Sequence, residues 1–378
     1  MCDNDNISES DPATGSELHD AVRRQDVTAV KRLLSQGADP DEPDWARSGD
    51  APLLHAAAVG SVQVVRALCA GGCNVNARTA RGETALHLAV TSRKASNNPH
   101  ELVVALLEAG CDANIQENLD GRTTLHALVR QLAVSAADPT SSTCDLMLET
   151  FQQLAQKSDV NLKDHRQRTP LHRLASSGCT HLKAFQVLLD CGADPSLQND
   201  RGETALHEAL ERDAPGSFDA VTLLASAGTD LSRCTAYRET PLHLAARKNR
   251  PSFVAMLLSN AAPPNAQDLR GNTALHLAAG KGYHEVVSLL LGRPNIELNA
   301  PNKEGLTPLH IAVESGFIQV VQMLLQAETC DLTARTKMSL TPLDFAQQDY
   351  RRRSQPEMSR VLTQELDRRR SHGTTNKC

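Results

Sequence analysis

One short phrase, repeated down the chain, fixes what this sequence can fold into. It reads Thr84-Ala85-Leu86-His87, Thr123-Thr124-Leu125-His126, Thr169-Pro170-Leu171-His172, Thr204-Ala205-Leu206-His207, Thr240-Pro241-Leu242-His243, Thr273-Ala274-Leu275-His276 and Thr307-Pro308-Leu309-His310. Pro52-Leu53-Leu54-His55 is a variant copy, and Glu17-Leu18-His19-Asp20-Ala21 and Thr341-Pro342-Leu343-Asp344 are degenerate copies at the two ends. The ten copies stand 32 to 46 residues apart. Repetition at this period means stacked supersecondary units, none of which can bury its apolar face alone. Only ten of the 378 residues are aromatic, which suits thin layers of Ala, Leu and Val better than one large core.

The residue types of each copy spell out its local structure. Thr is a helix N-cap whose oxygen satisfies a free backbone N–H. Pro follows at the first helical position, where its missing N–H costs nothing. Leu242 and Ala245 sit three apart and so share one helix face. A second Val/Leu-rich stripe, such as Val286, Val287, Leu289 and Leu290, predicts a second helix. Gly37, Gly72, Gly110, Gly192 and Gly228 close several of these second helices, as left-handed caps do. A short polar segment, commonly with Gly just before the next Thr, completes the unit.

The phrase T-P-L-H-x-A at about 33 residues resembles the ankyrin repeat, and the resemblance covers roughly residues 16 to 350. It implies an all-α solenoid of helix-turn-helix units with β-hairpin fingers. The organisation expected is an acidic leader over 1–15, an array of about ten repeats over 16–350, and a capping helix with a basic tail over 351–378. Inserts interrupt the array near 92–100, 131–145 and 212–217, each between the two helices of a repeat. They read either as tolerated surface loops or as a ridge that meets a partner.

Several classes of chemistry fall away. Nine of the fourteen His occupy one position of the repeat, about one helix-packing distance (~10 Å) apart. Zinc–nitrogen bonds are about 2 Å, so these His cannot share a metal; they are expected to tie each repeat to the next turn. Ten irregularly spaced Cys contain no C-x-x-C and read as small buried hydrophobes. Nucleophile elbow, zinc-protease, Walker and dinucleotide motifs are missing, so the expectation is no enzyme, no cofactor and no metal. A formal charge of −6 argues against nucleic acid. No long apolar run predicts a membrane span. The expected setting is cytoplasmic, with possible nuclear entry, and the expected state monomeric.

The resemblance implies a protein-interaction scaffold that binds a folded partner through its fingers and concave helix face. Contact candidates are Trp45, the only Trp, and the finger arginines Arg78, Arg81, Arg122, Arg166, Arg168, Arg201, Arg238 and Arg270. Acids are mixed among them, so the edge also reads as an ordinary solvated face. Finger asparagines in the family are hydroxylation targets when a Leu stands eight residues before; Leu106 and Asn114 match that spacing. Arg351-Arg352-Arg353-Ser354 and Arg368-Arg369-Arg370-Ser371 resemble basophilic kinase sites. Two alternatives stay open. The phrase from Asn114 to His126 is similar to one in inhibitors of NF-kappa-B, which implies masking of a transcription factor. The other is a substrate receptor of a ubiquitin ligase.

Overall fold

The computed structural model of the protein describes residues 12–45, 47–91, 99–135, 142–178, 181–212, 217–347 and 356–374. These hold twenty α-helices in ten consecutive pairs. They belong to two compact units, residues 1–200 with 214–220 and residues 201–213 with 221–378.

In the first unit the pairs are α1 (Pro12–Arg23) with α2 (Val27–Ser35), α3 (Pro52–Val59) with α4 (Val62–Ala70), and α5 (Ala85–Thr91) with α6 (Pro99–Glu108). Then come α7 (Thr124–Ser135) with α8 (Ser142–Lys157) and α9 (Pro170–Ser177) with α10 (Leu182–Asp190). Each helix packs on its partner. The first helices form one row, α1 on α3, α3 on α5, α5 on α7 and α7 on α9. The second helices form another, from α2 through α4, α6 and α8 to α10. Leu53, Leu86, Leu125 and Leu171 from one row and Leu68, Leu102 and Leu106 from the other are buried between them.

The sixth pair is α11 (Ala205–Glu211) and α12 (Ser217–Ser226), and the division between units runs through it. The second unit continues with α13 (Pro241–Arg247), α14 (Pro251–Ser259), α15 (Ala274–Ala279), α16 (His284–Leu291), α17 (Pro308–Ser315), α18 (Ile318–Gln326), α19 (Pro342–Gln347) and α20 (Pro356–Thr374). The row from α11 through α13, α15 and α17 to α19 packs on a row from α14 through α16 and α18 to α20. Leu242, Leu275 and Leu309 from the first row and Leu257, Leu290 and Leu324 from the second are all buried. Truncating such a Leu to Ala costs roughly 2–5 kcal/mol.

Helix α9 shows why the phrase makes a helix. Thr169 is extended (ψ 167°) and its hydroxyl accepts the His172 N–H, while His172 Nδ1 accepts the Thr169 N–H. Pro170 follows at the first helical position, and Gly178 (φ 71°) ends the helix in the left-handed region. A single four-residue phrase thus starts the helix, while a glycine stops it.

Two features depart from the expectation. The insert read at 131–145 is in large part helix: α7 runs on to Ser135 and α8 starts at Ser142. The fourth repeat is therefore lengthened at the end of α7, where Leu132 is buried, and at the start of α8. Helix α1 begins at Pro12, before the residue-16 boundary read from the phrase. Residues 1–11 of the acidic leader, 92–98 and 213–216 of the other inserts, and 351–355 with Ser354 lie outside the described residues.

Helix α20 packs on α19 and α18, with Met358 and Leu362 buried. Arg369 does the closing work that the sequence hides. Its guanidinium donates to the carbonyls of Leu325 (2.9 Å), Ala327 (3.2 Å), Glu328 (3.1 Å) and Cys330 (2.5 Å). These carbonyls line the last turn of α18 and the turn that follows it, where a cation is favoured. Glu365 holds the same guanidinium at 2.7 Å, and its arginine partners bring its carboxyl down to about 2. The basic run 368–370 is thus in part a structural clamp rather than a loose tail.

Candidate protein-binding edge

Between each helix pair and the next phrase the chain makes a tight turn, the finger. Its first residue is an anchor, buried or half-buried. In the finger of residues 268–273, Asp268 Oδ1 accepts the N–H groups of Arg270 (2.7 Å) and Asn272 (2.8 Å), and the Asp268 N–H donates to the Asn272 carbonyl. Asp164, Thr79, Thr235 and Asn302 do the same in their own fingers. Among the described residues only one β-bridge forms, Arg78 with Thr84; the other fingers are closed by these anchors. The residue before the last one in the turn must be left-handed. Gly271 (φ 79°) serves this and a second need, because a Cβ there would stand 2.7 Å from the Lys303 backbone nitrogen of the next finger.

That close approach reflects a ladder of backbone bonds from tip to tip. In the first unit the N–H groups of Asn118, His165 and Asp200 donate to the carbonyls of Arg81, Asp120 and Arg166. In the second, Ala236, Leu269, Lys303 and Lys337 donate to Arg201, Tyr237, Arg270 and Glu304 at 2.8 to 3.1 Å. The third finger carries one extra residue. Glu117 replaces the shorter anchor, its carboxylate reaching the N–H groups of Leu119, Asp120 and Arg122, and Leu119 is pushed out into solvent.

Behind the tips runs a second lock. The seven His that follow a Thr in the phrase, from His87 to His310, are buried, each Nδ1 accepting the Thr N–H at 3.1 to 3.3 Å. That leaves the proton on Nε2, which donates to the backbone of the next finger: His87 to Arg122, His126 to Arg168, His207 to Glu239, His243 to Asn272, His276 to Leu306 and His310 to Leu340. Burial pushes His126 and His276 down to about 4, so both are neutral. The reading of these His as ties between repeats is what the geometry shows. Among the described residues no group of three or more His, Cys, Asp or Glu is placed to hold a metal. Burial raises the thiols of Cys111 to about 12 and Cys330 to about 11, which suits small apolar side chains and not nucleophiles.

The contact candidates divide. Trp45 stands on the first finger with 81% of its surface exposed. Arg81, Arg166, Arg201, Arg238 and Arg270 are exposed at the tips. Arg78 instead clamps two fingers, donating to the Gly82 and Gln116 carbonyls and to Asn118 Oδ1. Arg122 pairs with Asp120 at 2.6 Å, and Arg168 is half-buried beneath the tip. Asn114 is exposed, yet its Oδ1 accepts the Asp159 N–H of the next repeat (2.7 Å), as Asn76 does for Asp112 and Asn299 for Asp331. Ser371 lies in α20, its hydroxyl donating to the Arg368 carbonyl. Residue-by-residue reading missed Leu119, Tyr237, Leu269, Met338, Lys303 and Lys337, all exposed on fingers. Laying the ten fingers side by side would have found them, since apolar residues there have no core to reach.

Comparison with known proteins agrees with this architecture. The family model for ankyrin repeats in three copies matches residues 18–97, 141–235, 181–268 and 242–336, and the single-repeat model matches 81–118. What falls between them, 119–140, is the stretch of the extra finger residue and the lengthened α7. The chain is similar to the E3 ubiquitin-protein ligase KEG of Arabidopsis thaliana, 29% identical over 70% of this chain and 18% of the relative. It is similar to Rabankyrin-5 of Homo sapiens, 28% identical over 78% of this chain and 28% of the relative. It is also similar to the nuclear factor NF-kappa-B p105 subunit of Gallus gallus, 34% identical over 48% of this chain and 17% of the relative. The chain spans less than a third of each of these relatives. With the matched models covering most of its length and the repeat-by-repeat geometry behind them, the chain belongs to the ankyrin repeat family.

Proposed function

We propose that the chain works without chemistry of its own, as a scaffold that offers its finger edge and the first helix of each repeat to a protein partner. The observation that carries this is the tip-to-tip backbone ladder within each unit, which leaves the finger tips from Arg81 onward, and the exposed arginines on them, with little freedom left to lose. Rigid presentation lets a broad surface bind without the ordering cost that a flexible edge would incur.

Affinity capture of the full chain from cells, read by quantitative mass spectrometry, tests the reading. The expected result is a protein set lost when Arg81 and Arg166 are changed to Glu. A full chain that retains no protein above background contradicts it. A second reading has the p105 similarity in its favour: masking of a transcription factor. Recovery of Rel-type factors supports that reading, recovery of cullin components supports a ligase adaptor, and cytoskeletal or channel proteins support the scaffold.

A further inference from the structure

In sequence, the acids and bases of the fingers alternate. In the second unit they part company in space. Asp268 is turned inward as a turn anchor, with its carboxylate spent on backbone N–H groups. Glu239 is drawn aside by Arg247, at 3.3 Å. Arg238, Arg270, Lys303 and Lys337 all point out, and no ion pair joins any of them to an acid among the described residues. Glu304 is the one outward acid on these four fingers. A chain that is acidic as a whole thus has a basic edge here.

The same edge carries apolar side chains with nothing to cover them. Tyr237 is 70% exposed and Leu269, bonded to it through the ladder, 49%. Two fingers further on, Met338 is 76% exposed. Large exposed apolar groups beside unpaired cations mark an interaction surface rather than a solvated face.

Taking the interaction reading above as its premise, we infer that the fingers of residues 235–340 bind an acidic, extended segment of a protein partner, with apolar anchors at Tyr237–Leu269 and at Met338. The geometry sets its length. Fingers follow at the helix-packing distance, so four of them span roughly 30 Å, which an extended strand at about 3.3 Å per residue crosses in about ten residues. Acids roughly three residues apart meet successive fingers, and apolar residues near the two ends meet the anchors. A nucleic acid fits less well. The patch offers a single ring for base stacking, and the rest of the chain repels a polyanion.

Selection of displayed random peptides of about ten residues on the full chain tests this. The expected winners are rich in Asp and Glu with apolar residues near both ends. Their affinity drops at least about tenfold with Arg270→Glu plus Lys303→Glu. The same charge change placed on the second helices, Lys31→Glu plus Arg66→Glu, leaves affinity unchanged. Tyr237→Ala and Met338→Ala weaken binding without altering its salt dependence. All these residues are exposed, and an unchanged helical circular dichroism spectrum shows that each variant is folded. Selection of neutral or basic peptides, of none at all, or of acidic peptides indifferent to Arg270→Glu plus Lys303→Glu overturns the inference. So does a uridine oligonucleotide that binds the patch more tightly than the selected peptides. If capture from cells still recovers a partner that Arg81→Glu plus Arg166→Glu releases, the scaffold reading survives that failure.

Discussion

The repeat histidine is the residue whose surroundings explain its own recurrence. Its two nitrogens serve one helix start and one neighbouring finger, so an exchange to Ala breaks both. His276→Ala leaves the Thr273 N–H without a partner and the Leu306 carbonyl with only the Asn302 N–H, and should cost about 2 kcal/mol, read by urea denaturation. Pro52 shows what happens when the Thr is missing. It has neither N–H nor hydroxyl to offer, helix α3 starts there with Ala51 as the cap, and His55 Nδ1 has no hydrogen-bond partner among the described residues. Pro52→Thr should therefore stabilise the second repeat by about 1 kcal/mol; an equal or lower denaturation midpoint would refute this. These roles were legible in the sequence because they depend on residues three apart. The finger bases were only half legible. Arg78 and Arg270 look alike in sequence, yet one clamps backbone and the other faces solvent, a difference set by contacts some 40 residues away.

At the scale of the element, helix ends decide most of what can be tested. Gly228 (φ 82°) closes α12 with open space around a would-be Cβ, so Gly228→Ala isolates backbone strain alone. It should cost about 1 kcal/mol. Ala261 stands at the same place after α14 with φ 62°, and Ala261→Gly should return a part of that, about 0.5 kcal/mol. Calorimetry of the two variants reads both, and shifts of the same sign would contradict the account. Helix α20 depends on Arg369 in the same way that earlier helices depend on glycine. Arg369→Lys keeps the charge but cannot reach four carbonyls at once. Faster amide exchange in 356–374 is expected, and with it faster kinase labelling of Ser371, whose flanking arginines are otherwise held in the helix. The clamp was not legible in the sequence, because its acceptors are backbone atoms that no side-chain pattern reveals.

At the scale of the whole molecule, the buried histidines act together. Unfolded imidazoles take up a proton near 6.5, whereas His126 and His276 hold theirs off until about 4. Between those values the unfolded chain binds more protons, so stability is full above pH 6.5 and falls as pH drops toward 4. Each of these two contributes up to about 3 kcal/mol to that fall. Denaturation midpoints should be flat from pH 8 to 7 and drop steeply at about pH 5; a midpoint that rises on acidification would contradict the assigned tautomers. Stacking and repeat number were plain from the phrase spacing. The added helix of the fourth repeat was not legible, because the insert from Gln131 to Asp145 is mostly small and polar and carries no stripe of its own. The central claim is that this repeat array recognises protein through its finger tips, and hydrogen exchange of the full chain with and without a captured partner tests it most directly. The account predicts slowed exchange at tip amides such as those of Leu269, Lys303 and Lys337. Slowing confined to the second helices, α14, α16 and α18, with the fingers unchanged, would contradict it.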